Sequence, residues 1–321
     1  MSASLIFLYF TKIMVKVISK SPIIKTKLSP ISYIKNYNKI LLKRHTGGLG
    51  DILMHRMLFK NIKKQIPKSK LHFACPSYYL KAVEDSEFLD QVIDVNNVND
   101  SEYAVVYTTT HQANKYESCI APESDKHRSD IWGQSFGLEL KYHDMDFNLN
   151  QNLINQYKNK YGDFICFCPV SAILTKNLLN HQIDVFLDNF TNLICLHKNK
   201  IDYLPNNLKQ INNTSISEWM HIIAASKGVI SVDSAAFHMA GGLGKPLLGI
   251  FTYADGTIYG KYYDHILIQK HRKNGNWDCG PCYSWSNCCK TKQNIKPCLT
   301  EISKYELVEG INTFKDKYNL K

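Results

Sequence analysis

The stretch Lys227–Phe251, KGVISVDSAAFHMAGGLGKPLLGIF, decides how the rest of the chain is read. Gly228–Val232 is a short, β-branched apolar run, as expected of a strand buried on both faces of a parallel sheet. Asp233 and Ser234 then stand where a helix N-cap is expected. Ala235–Ala240 is helix-permissive, Gly241, Gly242 and Gly244 close it, and Pro246 forbids continuation. Leu247–Phe251 is a second buried strand. The pattern predicts one βαβ unit with a short crossover helix, whose N-terminus carries Asp233 and Ser234, with His238 one turn on. Unpaired N–H groups and the positive end of the helix dipole suit a phosphate there. An ordinary crossover in which Asp233 and Ser234 only cap the helix reads equally well from this stretch alone.

Working outward toward the N-terminus, Lys39–Arg44 reads as a strand and runs directly into His45-Thr46-Gly47-Gly48-Leu49-Gly50-Asp51. Ile52–Lys64 follows with helical apolar spacing. Strand, glycine loop, helix is how a nucleotide-binding α/β fold opens. Gly48 and Gly50, with Gly47, let the backbone turn sharply and let a ligand approach it. Their spacing is neither a Walker loop nor the dinucleotide fingerprint. Asp51 serves either as charge complement to the helix dipole or as a general base at the carboxyl end of the first strand.

Further alternation fills the first half. Leu71–Cys75, Gln91–Val95 and Tyr103–Tyr107 read as strands, Tyr78–Asp85 and His127–Leu138 as helices. Asn148–Asn159 is polar and helix-like, and a domain boundary is expected there, between residues 155 and 156. The second half opens on the strand Phe164–Cys168. A polar loop with Ser171 and Lys176 follows; it either holds phosphate oxygens or is simply solvated. Asn192–Leu196 reads as a strand, Ser215–Ser226 and Ser303–Tyr318 as helices.

The 321 residues suffice for two domains with cores of their own. Hydrophobic content of 44% is a globular value, and a net charge of +11 spread along the chain suits anionic partners without choosing among them. Residues 1–38 read as an extension that packs on the body or rests on a membrane surface. Its apolar run Ser4–Phe10 is too short to span a bilayer. The expected compartment is the cytoplasm, on or near the inner face of the membrane, where ten cysteines do not make a disulfide framework. Five of them fall between Cys279 and Cys298. Cys279 and Cys282 form a CxxC pair, and one of the adjacent Cys288 and Cys289, with Cys288 taken here, completes with Cys298 the ligand count of a four-thiolate zinc or iron site; the other readings are a loop of free cysteines or a disulfide formed on oxidation.

The two motifs together resemble the two signatures of glycosyltransferase family 9, the ADP-heptose:lipopolysaccharide heptosyltransferases. The first is the strand followed by GGLGD at Gly47–Asp51. The second comprises Asp233-Ser234, His238-Met239-Ala240 and Leu243-Gly244-Lys245-Pro246. The cysteine cluster is similar to that of autotransporter heptosyltransferases. The resemblance runs in order from about Lys39 to Leu299.

It implies an α/β protein of GT-B fold, two Rossmann-like domains with a cleft between them. These would span residues 39–155 for the acceptor and 156–302 for the donor, with a C-terminal helix at 303–321. It also implies inverting, metal-independent transfer of a sugar, heptose first, from a nucleotide-sugar such as ADP-heptose to an anionic glycolipid or protein acceptor. Asp51 would be the catalytic base. Gly48, Gly50, Ser171, Lys176, Asp233, Ser234, Ala235 and His238 would surround the donor, with no cofactor for catalysis and a structural zinc or iron at the cysteines. The family has glycine where this chain has Ala235, whose methyl narrows the approach to the phosphate. Two other readings stand beside this one, a zinc-containing nucleic-acid-binding protein and an inactive relative of the transferases. Against the first, Lys and Arg do not gather around the cysteines, so no nucleic acid is expected.

Overall fold

Among the described residues ten strands form two sheets, and every pairing within them is parallel. The computed structural model describes residues 39–120, 124–270, 281, 283 and 297–320. The N-terminal extension and most of the cysteine cluster lie outside the described residues.

The first half runs β1 (Lys39–Lys43), α1 (Leu49–Met54), α2 (Arg56–Gln65), β2 (Lys70–Cys75), β3 (Gln91–Asp94), β4 (Val105–Thr108), α3 (Gln112–Ile120) and α4 (Arg128–Ser135). Its strands lie in the order β3-β2-β1-β4. Then α5 (Gln151–Tyr161) leads to the second half. This comprises β5 (Ile165–Cys168), α6 (Asn180–Asn189), β6 (Leu193–Leu196), β7 (Lys209–Ile211), α7 (Ile216–Ala225), β8 (Gly228–Val232), α8 (Ala235–Gly242), β9 (Leu247–Phe251), α9 (Gly256–Tyr259), β10 (Ile266–Gln269), α10 (Pro297–Thr300) and α11 (Lys304–Tyr318). Its strand order, β10-β9-β8-β5-β6-β7, is that of a complete doubly wound sheet. The central strands β5, β6, β8 and β9 are buried at every position. They therefore read as apolar runs without alternation.

The expected βαβ unit is present, with Ser234 as the N-cap of α8. The helix runs to Gly242, beyond the expected end at Ala240, because the flat glycine face lies against the Tyr263 ring and Met145. The single helix expected over Ile52–Lys64 is two, broken at His55. The His55 ring bonds back to the Asp51 carbonyl, 2.7 Å away, competing with the helical ladder at that point. The helix expected over Tyr78–Asp85 is a 3₁₀ turn over Ser77–Ala82, closed by i→i+3 bonds that start from the Pro76 carbonyl.

A buried arginine holds the crossing between the halves. Arg56 is fully buried and donates to the Met145, Asp146 and Ala82 carbonyls and, as a fork, to Asp85. These bonds pin the extended segment before α5 onto α2. One apolar core then continues from Leu42, Leu53 and Phe73 in the first half to Phe164, Phe237 and Met239 in the second. A separate core under α11 joins Leu307, Ile311 and Phe314 to Leu248 and Ile268.

Candidate active site

In both sheets the strand order reverses beside the first strand, between β1 and β4 and between β5 and β8. Open α/β sheets hold their ligands beyond the carboxyl ends of strands at such points. Gly47–Asp51 of the first motif and Asp233, Ser234 and His238 of the second emerge there, so that α1 faces α8, while Leu243–Pro246 leads into the amino end of β9 on the opposite edge. A Cβ placed on Gly50 would stand 2.9 Å from the His238 ring and 3.7 Å from the Ala235 Cα. Glycine at position 50 is what allows α1 and α8 to approach this closely.

On the first side, Asp51 occupies the first turn of α1 and is 6% exposed. Its Oδ1 accepts from Arg128 Nη1 at 2.5 Å. Its Oδ2 accepts from Arg44 Nη2 at 3.0 Å and from the Gly48 amide at 3.2 Å. Burial alone would raise the Asp51 pKa, but the charges of Arg128 and Arg44 outweigh it and hold the carboxyl well below the usual range. The loop closes tightly over this group. Gly47 has φ +132, and a Cβ there would meet Arg44 Nη2 at 2.5 Å and Asp51 Oδ2 at 2.8 Å. No other residue fits that position without displacing the ion pair.

On the second side, Lys176 Nζ lies 2.7 Å from Asp233 Oδ2, and 5.2 Å from the centre of the Tyr253 ring. Burial disfavours the Lys176 charge, but Asp233 and Tyr253 outweigh that and raise its pKa. Ser234 caps α8, its Oγ accepting from the Ala236 amide at 3.3 Å and lying 3.0 Å from Ser231 Oγ. His238 is buried, with Nδ1 3.1 Å from Tyr263 Oη, and burial lowers its pKa to about 4, so it is neutral near pH 7. Ser171 shapes the β5–α6 loop: its Oγ donates to the Ile173 carbonyl and its amide to Asn177.

Among the candidate metal ligands, Cys279, Cys282 and Cys288 lie outside the described residues. Cys298 lies on α10. Among the described residues no group of three or more His, Cys, Asp or Glu is placed to hold an ion. Residues that the motifs did not reveal complete the site: Arg44, Glu117, Arg128, Tyr253, Tyr259 and Tyr263. Of these, only Arg44 adjoined a recognised motif.

Two facing doubly wound halves, with a buried carboxylate on one lip and a helix N-terminus beside a lysine on the other, have the GT-B architecture. The comparisons with known proteins sharpen this. Residues 194–283 match the family model of glycosyltransferase family 9 (heptosyltransferase). Among solved structures, the ADP-heptose LPS heptosyltransferase II of E. coli shares the fold with a TM-score of 0.63 at 12% identity. That match covers 87% of this chain and 99% of that one. A glycosyltransferase family 9 protein from Veillonella parvula gives 0.65 at 11% identity, covering 87% and 98%. The iron-containing dodecameric glycosyltransferase TibC from enterotoxigenic E. coli gives 0.63 at 13%, covering 88% and 77%. TibC has also been solved with ADP-D-beta-D-heptose. No curated protein sequence matches. The resemblance to family 9, the GT-B fold and the reading of the chain as a glycosyltransferase are borne out by the family match and by this shared fold.

Proposed function

We propose that the protein is an inverting glycosyltransferase, moving a sugar from a nucleotide-sugar donor to an anionic glycolipid or protein acceptor without a catalytic metal. The observation that carries this reading is the juxtaposition of an ionised Asp51 with the N-terminus of α8 across the Gly50–His238 contact. Inverting transfer needs a base on one face of the sugar carbon and stabilisation of a departing diphosphate on the other.

Asp51 accepts the proton of the acceptor hydroxyl as its oxygen attacks the anomeric carbon. With its pKa held low, Asp51 is always ready to accept but is a weak base, so the proton moves late, once the forming C–O bond has made the hydroxyl acidic. Oδ2 already accepts two hydrogen bonds and Oδ1 one, which leaves Oδ1 the free lone pair for that hydroxyl. The diphosphate leaves toward the first amides of α8 and the Lys176 ammonium, which supply positive potential without an ion.

ADP-heptose is the favoured donor, supported by the family match and by the complex of TibC with that sugar nucleotide. The net charge of +11 favours anionic partners and peripheral contact with the inner membrane surface from the cytoplasm. We also read Cys279, Cys282, Cys288 and Cys298 as ligands of a structural zinc or iron, on the strength of their spacing and of the iron in TibC. Tyr283, next to Cys282 in sequence, is buried, its amide bound to the Tyr253 carbonyl beside Lys176.

The test is a donor screen by mass spectrometry, ADP-heptose first, scoring consumption of the sugar nucleotide with and without chelator. Consumption that survives chelation supports the reading. No consumption of any donor, together with no binding by calorimetry, refutes it.

A further inference from the structure

Asp51 lies inside a buried ladder of alternating charge that begins at Arg44. Arg44, Asp51, Arg128 and Glu117 are each at most 7% exposed, and two cations balance two anions. Arg128 opens α4, and Glu117 lies on α3. Glu117 grips Arg128 as a fork, Oε1 to Nε at 2.8 Å and Oε2 to Nη2 at 2.6 Å. The remaining corner of the guanidinium, Nη1, bonds to Asp51. A planar fork held at one edge fixes where its third nitrogen points. The ladder's last rung comes from the other half of the chain. Tyr259, at the end of α9, donates its hydroxyl to Glu117 Oε1 at 3.0 Å and lays its ring 5.2 Å from the Arg128 guanidinium carbon.

We propose that Glu117 is a positioning residue for the transfer step, acting on Asp51 through Arg128, and that Tyr259 ties this alignment to the juxtaposition of the two halves. The inference rests on Asp51 being the base. Glu117 touches neither Asp51 nor the donor residues. Its charge-to-charge route to the reaction is the guanidinium it holds. Without the fork, Arg128 keeps its charge but loses its fixed direction, and Oδ1 loses the partner that aims its free lone pair. A carboxylate that must meet a hydroxyl within a few tenths of an ångström is sensitive to such a loss. Because Tyr259 joins from across the cleft, the ladder is complete only when the donor half is in place.

The test compares Glu117→Gln and Tyr259→Phe with the wild type in the full chain. Glu117→Gln is expected to lower kcat about tenfold or more while the calorimetric Kd for the sugar nucleotide stays within about twofold. Tyr259→Phe, which keeps the ring and is the milder change, is expected to lower kcat severalfold with Tm nearly unchanged. A crystal structure of Glu117→Gln is expected to have the Arg128 guanidinium turned away from Asp51. Unchanged kcat in both variants overturns the proposal. So does a Glu117→Gln structure in which Arg128 still holds Asp51, whether or not the wild type transfers sugar. A wild type that transfers none refutes the transferase reading instead, and the structure then decides this one alone.

Discussion

Lys176 Nζ and Asp233 Oδ2 stand 2.7 Å apart beyond the ends of β5 and β8, with side chains 13% and 6% exposed. The cation that the proposed function assigns to the donor diphosphate is thus oriented by a fixed carboxylate. Lys176→Met should weaken sugar-nucleotide binding by about 1.5–3 kcal/mol, roughly ten- to hundredfold, as the loss of a charge-assisted contact requires. It should also lower Tm, since Asp233 is left buried without its partner. Calorimetry and a melting curve check both; an unchanged Kd removes Lys176 from the donor site.

Asp51→Asn should leave the donor Kd nearly unchanged while kcat falls on the order of a hundredfold or more. The acid side of the stability curve tests the same group. A carboxyl whose folded pKa is depressed adds stability above the unfolded value of about 3.9, and that stability is lost as pH falls through the folded value. The Asn variant should therefore be less stable than wild type at pH 7, with the difference shrinking below pH 4.

Three buried histidines act in a higher window. Burial lowers His55 to about 3 and His238 to about 4, and pushes His127 down as well. All three are neutral in the fold, while the unfolded chain gains protons near pH 6.5. Their stability is present in full above that value and declines as pH falls from about 6.5 toward 4. Melting temperatures measured between pH 7.5 and 4.5 should fall steadily. A flat profile would mean that these histidines are protonated in the folded protein.

Gly47→Ala should cost about 1–3 kcal/mol of stability through the positive φ and the clash with Arg44. It should also depress kcat, since the same methyl meets Asp51 Oδ2. Donor binding should survive. A variant with wild-type kcat would mean that the loop relaxes without moving the carboxylate.

Protein purified under reducing conditions should carry about one zinc or iron per chain, the stoichiometry of a four-thiolate site. Chelation should lower Tm before it slows transfer. A metal-free protein of full stability would make the cysteines ordinary thiols.

The parts legible in sequence were those whose cause is local. β8, α8 and β9 declare themselves because a central parallel strand must be apolar on both faces, and Ser234 caps where the run ends. The GGLGD loop is equally plain, since strand, glycines and helix follow without interruption. Glu117 and Arg128 gave no such signal. Helix α3 (QANKYESCI) buries little beyond Ala113 and Glu117, so no apolar stripe marks it. Arg128 stands 77 residues from Asp51, and Tyr259 142 from Glu117. The first pairing exists only after the first half has folded, and the second only after the two sheets have turned their carboxyl ends together. The break at His55 was hidden for the opposite reason: apolar spacing continues through it, while a single ring nitrogen diverts one backbone carbonyl.

The bare Cα of Gly50 has a consequence for handling the protein. Where α1 meets the His238 ring, the gap between the two halves is set by a hydrogen atom. A single added methyl is a doorstop: it presses the His238 ring and strains the seam where α1 packs on α8. Gly50→Ala is therefore a way to load that seam directly and to read what the two halves do only together.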